Sequence, residues 1–235
     1  MAKVDTYELV REYKRLRVTD VLDALDQLTA NADQFIMDEA MRPVLPGIHF
    51  CGPAVTRRYV KAQPVPLVPE SPEAYREYLA EWVRTRKGRA MGEFRPGSVL
   101  VFDCHQTPRV GLWGSANGMG AVAKGAAGIV TDGGCRDRYE VALERLPIFA
   151  THFGAYRAPN RMELGDADAP IHCAGVVVVP GDLIVADDDG VAVIPQDLAA
   201  DVPKLAREVL AKDMAGRRRL YQTLGLPLDE TVEPD

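Results

Sequence analysis

The sequence lacks any apolar run long enough to cross a membrane. Its longest, such as residues 99–102 and 175–179, fall far short of the roughly 18 to 20 residues that a transmembrane helix needs. No membrane partner is expected. No secretory leader is read either, because the amino end MAKVDTYELVREYKRLRV carries charges through its first turns and has no apolar stretch before a small-residue cleavage site. Cytoplasmic residence is the expectation. Paired cysteines are missing: Cys51, Cys104, Cys135 and Cys173 lie far apart with no CxxC, which excludes a zinc knuckle, a thioredoxin-type motif and a dense disulfide framework. Four reduced, buried thiols are expected. A basic excess is also absent, since 28 Lys and Arg face 34 Asp and Glu for a net charge of −6. Phosphate neutralisation needs clustered cations, so no nucleic-acid partner is expected. The one basic cluster, Arg217-Arg218-Arg219, reads as a solvated or subunit-contacting helix face.

What remains is a chain of 235 residues, 47% of them hydrophobic, enough to bury a core. Leu9, Val10, Tyr13, Leu16, Val18, Val21, Leu22, Leu25 and Leu28 recur at helical spacing. They predict two helices within residues 5–30, with Thr19-Asp20 as a cap between them. A loop with Pro43, Pro46 and Gly47 leads to a strand over 52–60. Residues 61–95 read as an insertion: a proline-rich loop over 63–72, then a helix over 73–87 that gathers Ala74, Tyr78, Leu79 and Trp82 near one face. The apolar run ending in Asp103 is a buried strand, and residues 114–118 open an alanine-rich helix that leads to a strand over 128–132. That order predicts a right-handed βαβ unit. Residues 174–195 contain PGD and DDDG turns and read as a β-meander, followed by a last helix over 197–223. No interdomain linker is evident. The expected organisation is one α/β domain over 1–225 and a loose tail over 226–235.

The chemistry concentrates in residues 114–137, GSANGMGAVAKGAAGIVTDGGCRD. A helix amino terminus preceded by small residues presents unpaired N–H groups and the positive end of the helix dipole. Gly114, Ser115, Ala116 and Asn117 are therefore a candidate cradle for a carboxylate or phosphate. The spacing matches neither GxGxxG nor GxxxxGK[ST], so no dinucleotide or P-loop site follows. After Thr131-Asp132 a Gly133-Gly134 turn is expected, and it delivers Arg136 and Asp137 to the crevice at the carboxyl ends of the strands. Arg136 can grip a carboxylate or enolate oxygen with its fork, and Asp137 is a hard ligand suited to Mg²⁺ or Mn²⁺. His49, His105, His152 and His172 show no metal-ligand spacing. Asp103 could reach the crevice as a supporting acid. Asp187-Asp188-Asp189-Gly190 reads as a turn, because a calcium loop would need a glutamate where Leu198 stands.

LWGSANGMGAVAKGAAGIVTDGGCRD resembles the signature of the RraA-like family, which includes the class II pyruvate aldolases acting on 4-hydroxy-4-methyl-2-oxoglutarate and 4-carboxy-4-hydroxy-2-oxoadipate. TDVLDAL at 19–25, GPAVT at 52–56 and the PGD and DxDG meander at 175–195 extend the resemblance over most of the chain outside the insertion and the tail. It implies a swivelling β/β/α fold, assembled as a homotrimer or homohexamer with the active site at a subunit interface. It further implies that Asp137 holds the divalent metal, that Arg136 binds substrate and stabilises the pyruvate enolate, and that the backbone N–H groups of Ser115, Ala116 and Asn117 hold the pyruvyl carboxylate. Asp213, four residues before Arg217, matches the neighbouring subunit's helix acid, which is Glu in the aldolases. The aldolases commonly carry an acid at the position of Ser115.

These readings point to a divalent-metal-dependent carbon–carbon lyase on a small oxo acid or hydroxy-oxo-dicarboxylate. It would act by retro-aldol cleavage or β-decarboxylation. The alternatives are a non-catalytic regulator that binds a protein through the trimer surface, as RraA inhibits ribonuclease E, and a metal-dependent dehydratase or isomerase of a sugar acid. Asp213 on the last helix favours an enzyme.

Overall fold

In the computed structural model the described residues are 5–62, 70–82, 84–85, 92–104 and 109–233. Near-continuous apolar runs build the centre of the sheet. Strand β3 (Val99–Asp103) and β5 (Gly128–Cys135) are buried on both faces, as parallel strands covered on both sides are. They pair parallel to each other, β3 pairs parallel with β2 (Phe50–Lys61), and β5 pairs parallel with β6 (Ile148–Phe153). Strand β1 (Arg42–Pro43) closes one end of the path. The antiparallel hairpin β10 (Leu183–Asp187) and β11 (Gly190–Ile194) closes the other, giving the order β1-β6-β5-β3-β2-β10-β11. Short β4 (Gly111–Trp113) extends β5 in parallel, and β7 (Met162–Ala167) flanks the far half of β2. The two ends of the path approach each other, because the Arg42 guanidinium donates to the Asp189 carbonyl at 2.7 Å and Ile36 bridges Ala192. The sheet is thus nearly closed.

Helices cover both ends of the chain. Helix α1 (Thr6–Tyr13) starts where Asp5 accepts the Tyr7 N–H at 3.0 Å. Helix α2 (Val18–Thr29) starts one residue before the expected cap: Arg17 is the cap residue, and Asp20 reaches back from the first turn to accept its N–H at 3.1 Å. The break between the helices is also held by Asp187, whose carboxylate accepts the Val18 N–H at 2.8 Å. Tyr13, Val21, Leu25, Leu183 and Ile194 pack these helices onto the β10–β11 face, together with the start of the last helix, Val202–Leu224.

Four expectations change. Strand β9 (Val176–Val178) leaves the meander and pairs with β8 (Ile171–Cys173) in a separate two-stranded sheet. Gly133-Gly134 is no turn, for β5 runs through it with a register shift between Thr131 and Gly134. A side chain at either glycine would strike Cys104 or the Val110 carbonyl at under 3 Å, so these residues serve close packing. The last helix begins at Val202 rather than 197, after turns over 196–201. The tail folds back on that helix: the Arg217 guanidinium donates to the Thr231 carbonyl at 2.9 Å, Arg218 pairs with Glu233 at 2.6 Å, and Val232 is buried. The arginine cluster therefore anchors the tail. Of the insertion, helix α3 (Pro72–Trp82) is observed, while residues 63–69, Val83 and 86–91 lie outside the described residues.

Candidate active site

The exits of β4 and β5 are clipped together by the Arg136 N–H, which donates to the Trp113 carbonyl at 2.8 Å. From there the two strands diverge. After β4, Gly114 caps helix α4 (Ser115–Ala123); after β5, Asp137 adopts a left-handed backbone with φ 53° and starts the short helix α5 (Arg138–Leu143). A non-glycine residue in that region is uncommon and costs about 1 kcal/mol or more, a strain that tends to persist where the position serves function. Here it turns Asp137 back toward α4. The Arg136 Nε donates to Asp137 Oδ1 at 3.0 Å, and the pair packs directly on the glycines. A Cβ on Gly114 would sit 2.6 Å from Asp137 Oδ2 and 2.8 Å from Arg136 Cγ, and one on Gly111 would sit 2.6 Å from Arg136 Cβ. Gly114 has an extended backbone, φ −166°, so the close approach of the side chains is what excludes a larger residue.

The first intrahelical bond of α4 runs from Gly118 N–H to Gly114 O at 2.8 Å, which leaves the N–H groups of Ser115, Ala116 and Asn117 without helical partners. Arg136 is about one-third exposed, and its terminal nitrogens make no hydrogen bond among the described residues. Gly114, Ala116, Asn117, Arg136 and Asp137 together line one side of a cavity of about 350 Å³. Unpaired donors, the positive end of α4 and an open guanidinium fork therefore converge on it, beside a single carboxylate. Ser115 faces elsewhere: its hydroxyl donates to Glu144 at 2.9 Å. The Asn117 amide is tied back to the Leu112 carbonyl at 3.4 Å.

The remaining sequence candidates are not in this cavity. Asp213 lies in a separate surface depression with Arg17, Asp20 and Lys212, paired with Arg17 at 2.8 Å and Arg217 at 3.4 Å. One chain does not bring it to Arg136 and Asp137. Asp103 accepts from the Arg58 Nε at 3.0 Å; it belongs to an ion pair outside the cavity lining. His49 contacts the Leu16 carbonyl and His152 the Thr151 hydroxyl, while His105 lies outside the described residues. Asp188 accepts the Gly47 N–H, so the DDDG segment acts as an anchored turn. All four cysteines are free and buried, and burial pushes the Cys51 and Cys135 thiols up to about 11. Among the described residues no group of three or more His, Cys, Asp or Glu could hold a metal, and no helix is long and apolar enough to cross a membrane.

What the sequence reading missed is the apolar wall. Tyr59, Phe102, Leu112 and Trp113 form it, together with Leu79 and Trp82 of α3. Phe102 and Trp113 pack edge to face at 5.0 Å, and Tyr59 stands 6.0 Å from Phe102. Trp113 is 3% exposed, and its indole N–H has no partner among the described residues. The only signal in the sequence was the helical spacing of Tyr78, Leu79 and Trp82, which fixes a face but not what it covers.

A family model described as Aldolase/RraA matches residues 18–193. The chain belongs to the RraA-like family. A Halalkalibacterium halodurans protein with the provisional name 4-hydroxy-4-methyl-2-oxoglutarate aldolase is 28% identical over 214 residues, 91% of this chain and 89% of that one. An uncharacterised Methanocaldococcus jannaschii protein is 33% identical over 111 residues, covering 47% of this chain and about half, 53%, of its own length. Among solved structures, Streptomyces coelicolor RraAS2, described as an unusual member of the RNase ES inhibitor RraA family, superposes with a TM-score of 0.74 at 27% identity over 90% of this chain and 98% of that one. The mixed α/β architecture is thus the RraA fold.

Proposed function

We propose that this RraA-like chain is a divalent-metal-dependent carbon–carbon lyase, cleaving a small oxo acid or hydroxy-oxo acid through a pyruvate enolate. The observation that carries this reading is the packing of Arg136 and Asp137 against Gly114, which sets an open guanidinium fork beside the amino end of α4 in one cavity. The N–H groups of Ser115, Ala116 and Asn117 and the positive end of α4 bind the substrate carboxylate. Arg136, held in orientation by its Nε bond to Asp137, directs its terminal nitrogens to the 2-oxo oxygen. It stabilises negative charge there as the bond to the third carbon breaks.

Asp137 is the only carboxylate among the described residues lining the cavity. A single hard oxygen ligand does not suit a protein-caged zinc, but it fits Mg²⁺ or Mn²⁺, which keep several waters and bind through one or two carboxylates. When bound at Asp137, such a cation supplies Lewis-acid polarisation of the oxo acid. Asp213, with a half-exposed side chain, would complete the site from a neighbouring copy in a homotrimer or homohexamer. Oxaloacetate and 4-hydroxy-2-oxo acids assayed for pyruvate release with Mg²⁺, Mn²⁺ and EDTA test the proposal. Cation-dependent release is expected; full turnover in excess EDTA, or no release from any substrate, overturns it. The homologues' provisional aldolase names support a lyase, whereas no observation on the site itself favours the regulator.

A further inference from the structure

Beyond the carboxylate-binding corner, the cavity is far larger than a pyruvate head. About 350 Å³ corresponds to roughly a dozen water molecules at about 30 Å³ each, whereas pyruvate has six heavy atoms. Tyr59, Phe102, Trp113, Leu79 and Trp82 line the same cavity. Trp82 packs half-buried on the core cluster that contains Tyr59, Phe102 and Trp113, and the Tyr78 hydroxyl hydrogen-bonds Asn160. Helix α3 is therefore docked as part of the wall. Burial pushes the Tyr59 phenol well above its usual range, so it stays neutral. Of the lining cations, Arg136 belongs to the head site and Arg157 is exposed. A second carboxylate placed against this wall would lose its hydration and meet no buried cation among the described lining residues, a costly arrangement. An aryl or branched alkyl group would instead replace water on apolar and aromatic surface.

Resting on the oxo-acid reading above, we infer that the substrate carries an apolar, aryl-sized group beyond its 2-oxo acid head rather than a second carboxylate, and that Leu79 and Trp82 of the inserted helix select it.

Three dead-end ligands sharing one head test this: pyruvate, 2-oxoglutarate and 2-oxo-4-phenylbutanoate. The last two differ only in a carboxylate against a phenyl group on the same carbon chain, and neither can undergo aldol cleavage or β-decarboxylation. Isothermal titration of the full chain in Mg²⁺ buffer should show the phenyl compound binding at least about tenfold tighter than the other two. Trp82→Ala, and separately Leu79→Ala, should erase most of that advantage while leaving pyruvate affinity unchanged. Retained pyruvate affinity also reports that each variant is folded. Equal or tighter binding of 2-oxoglutarate, or an advantage that survives both substitutions, overturns the inference alone. Failure of all three ligands to bind overturns the oxo-acid reading and this inference with it.

Discussion

Replacing Gly114 by alanine tests the geometry of the site at its tightest point. The new methyl group would lie 2.6 Å from Asp137 Oδ2 and 2.8 Å from Arg136 Cγ, where ordinary contact begins at 3.4 Å. Relief requires a displacement of about 0.8 Å, taken by Asp137, by Arg136 or by the first turn of α4. A shift of that size in a positioned group costs on the order of 10²-fold in rate, or about 2.7 kcal/mol of transition-state stabilisation. Global stability should suffer less. The extended φ of −166° is open to alanine, and alanine restricts the unfolded chain by about 0.4 to 1 kcal/mol in favour of folding. Overpacking of about 1 to 3 kcal/mol opposes it, for a net loss of about 0 to 2.6 kcal/mol. Denaturant titration should find a folded variant with a modest deficit, while calorimetry and pyruvate-release assays should find affinity and turnover both strongly reduced. Wild-type affinity and turnover in Gly114→Ala would refute the claim that this contact positions the pair.

Arg136→Lys should lose at least about 2 kcal/mol of transition-state stabilisation, read from kcat/KM, because an ammonium cannot reproduce the planar fork or the Nε tether to Asp137; unchanged kinetics would remove Arg136 from the site. Burial holds Cys51 and Cys135 protonated to about 11, above an ordinary thiol at 9.0. The stability they contribute is complete below pH 9 and is lost as pH rises through about 11, so denaturation midpoints should fall over that window and fall less steeply in Cys51→Ala or Cys135→Ala; identical slopes would contradict the assignment. Inactive Asp213→Ala and inactive Asp137→Ala chains, mixed and allowed to exchange, should recover some activity because certain interfaces then pair two intact residues. No recovery despite demonstrated exchange would show that Asp213 does not act across an interface.

Much of this architecture was legible in the sequence because its signals are local. The apolar runs of β3 and β5 and the helical spacing of Leu9 to Leu25 identify elements directly. The adjacency of Arg136 and Asp137 after a buried strand located the candidate chemistry. What escaped depends on contacts distant in sequence. Gly133-Gly134 looks like a turn until Cys104 and Val110 are seen packed against it. The last residues look loose because the bonds that hold them come from Arg217 and Arg218, more than ten positions earlier. Likewise, nothing local tells that Leu79 and Trp82 face Phe102 and Trp113, because that wall joins four separated segments.

The most direct test of the central claim is pyruvate release by Asp137→Asn beside the wild type, with saturating Mg²⁺ and with EDTA, on a 4-hydroxy-2-oxo acid bearing an aryl group at its fourth carbon. Asparagine keeps the size and the packing on Gly114 but removes the charge that would bind the cation. The wild type should release pyruvate in Mg²⁺ and none above background in EDTA, and the variant should lose at least about 10²-fold. Undiminished release by Asp137→Asn, or release by the wild type that is indifferent to EDTA, would contradict it.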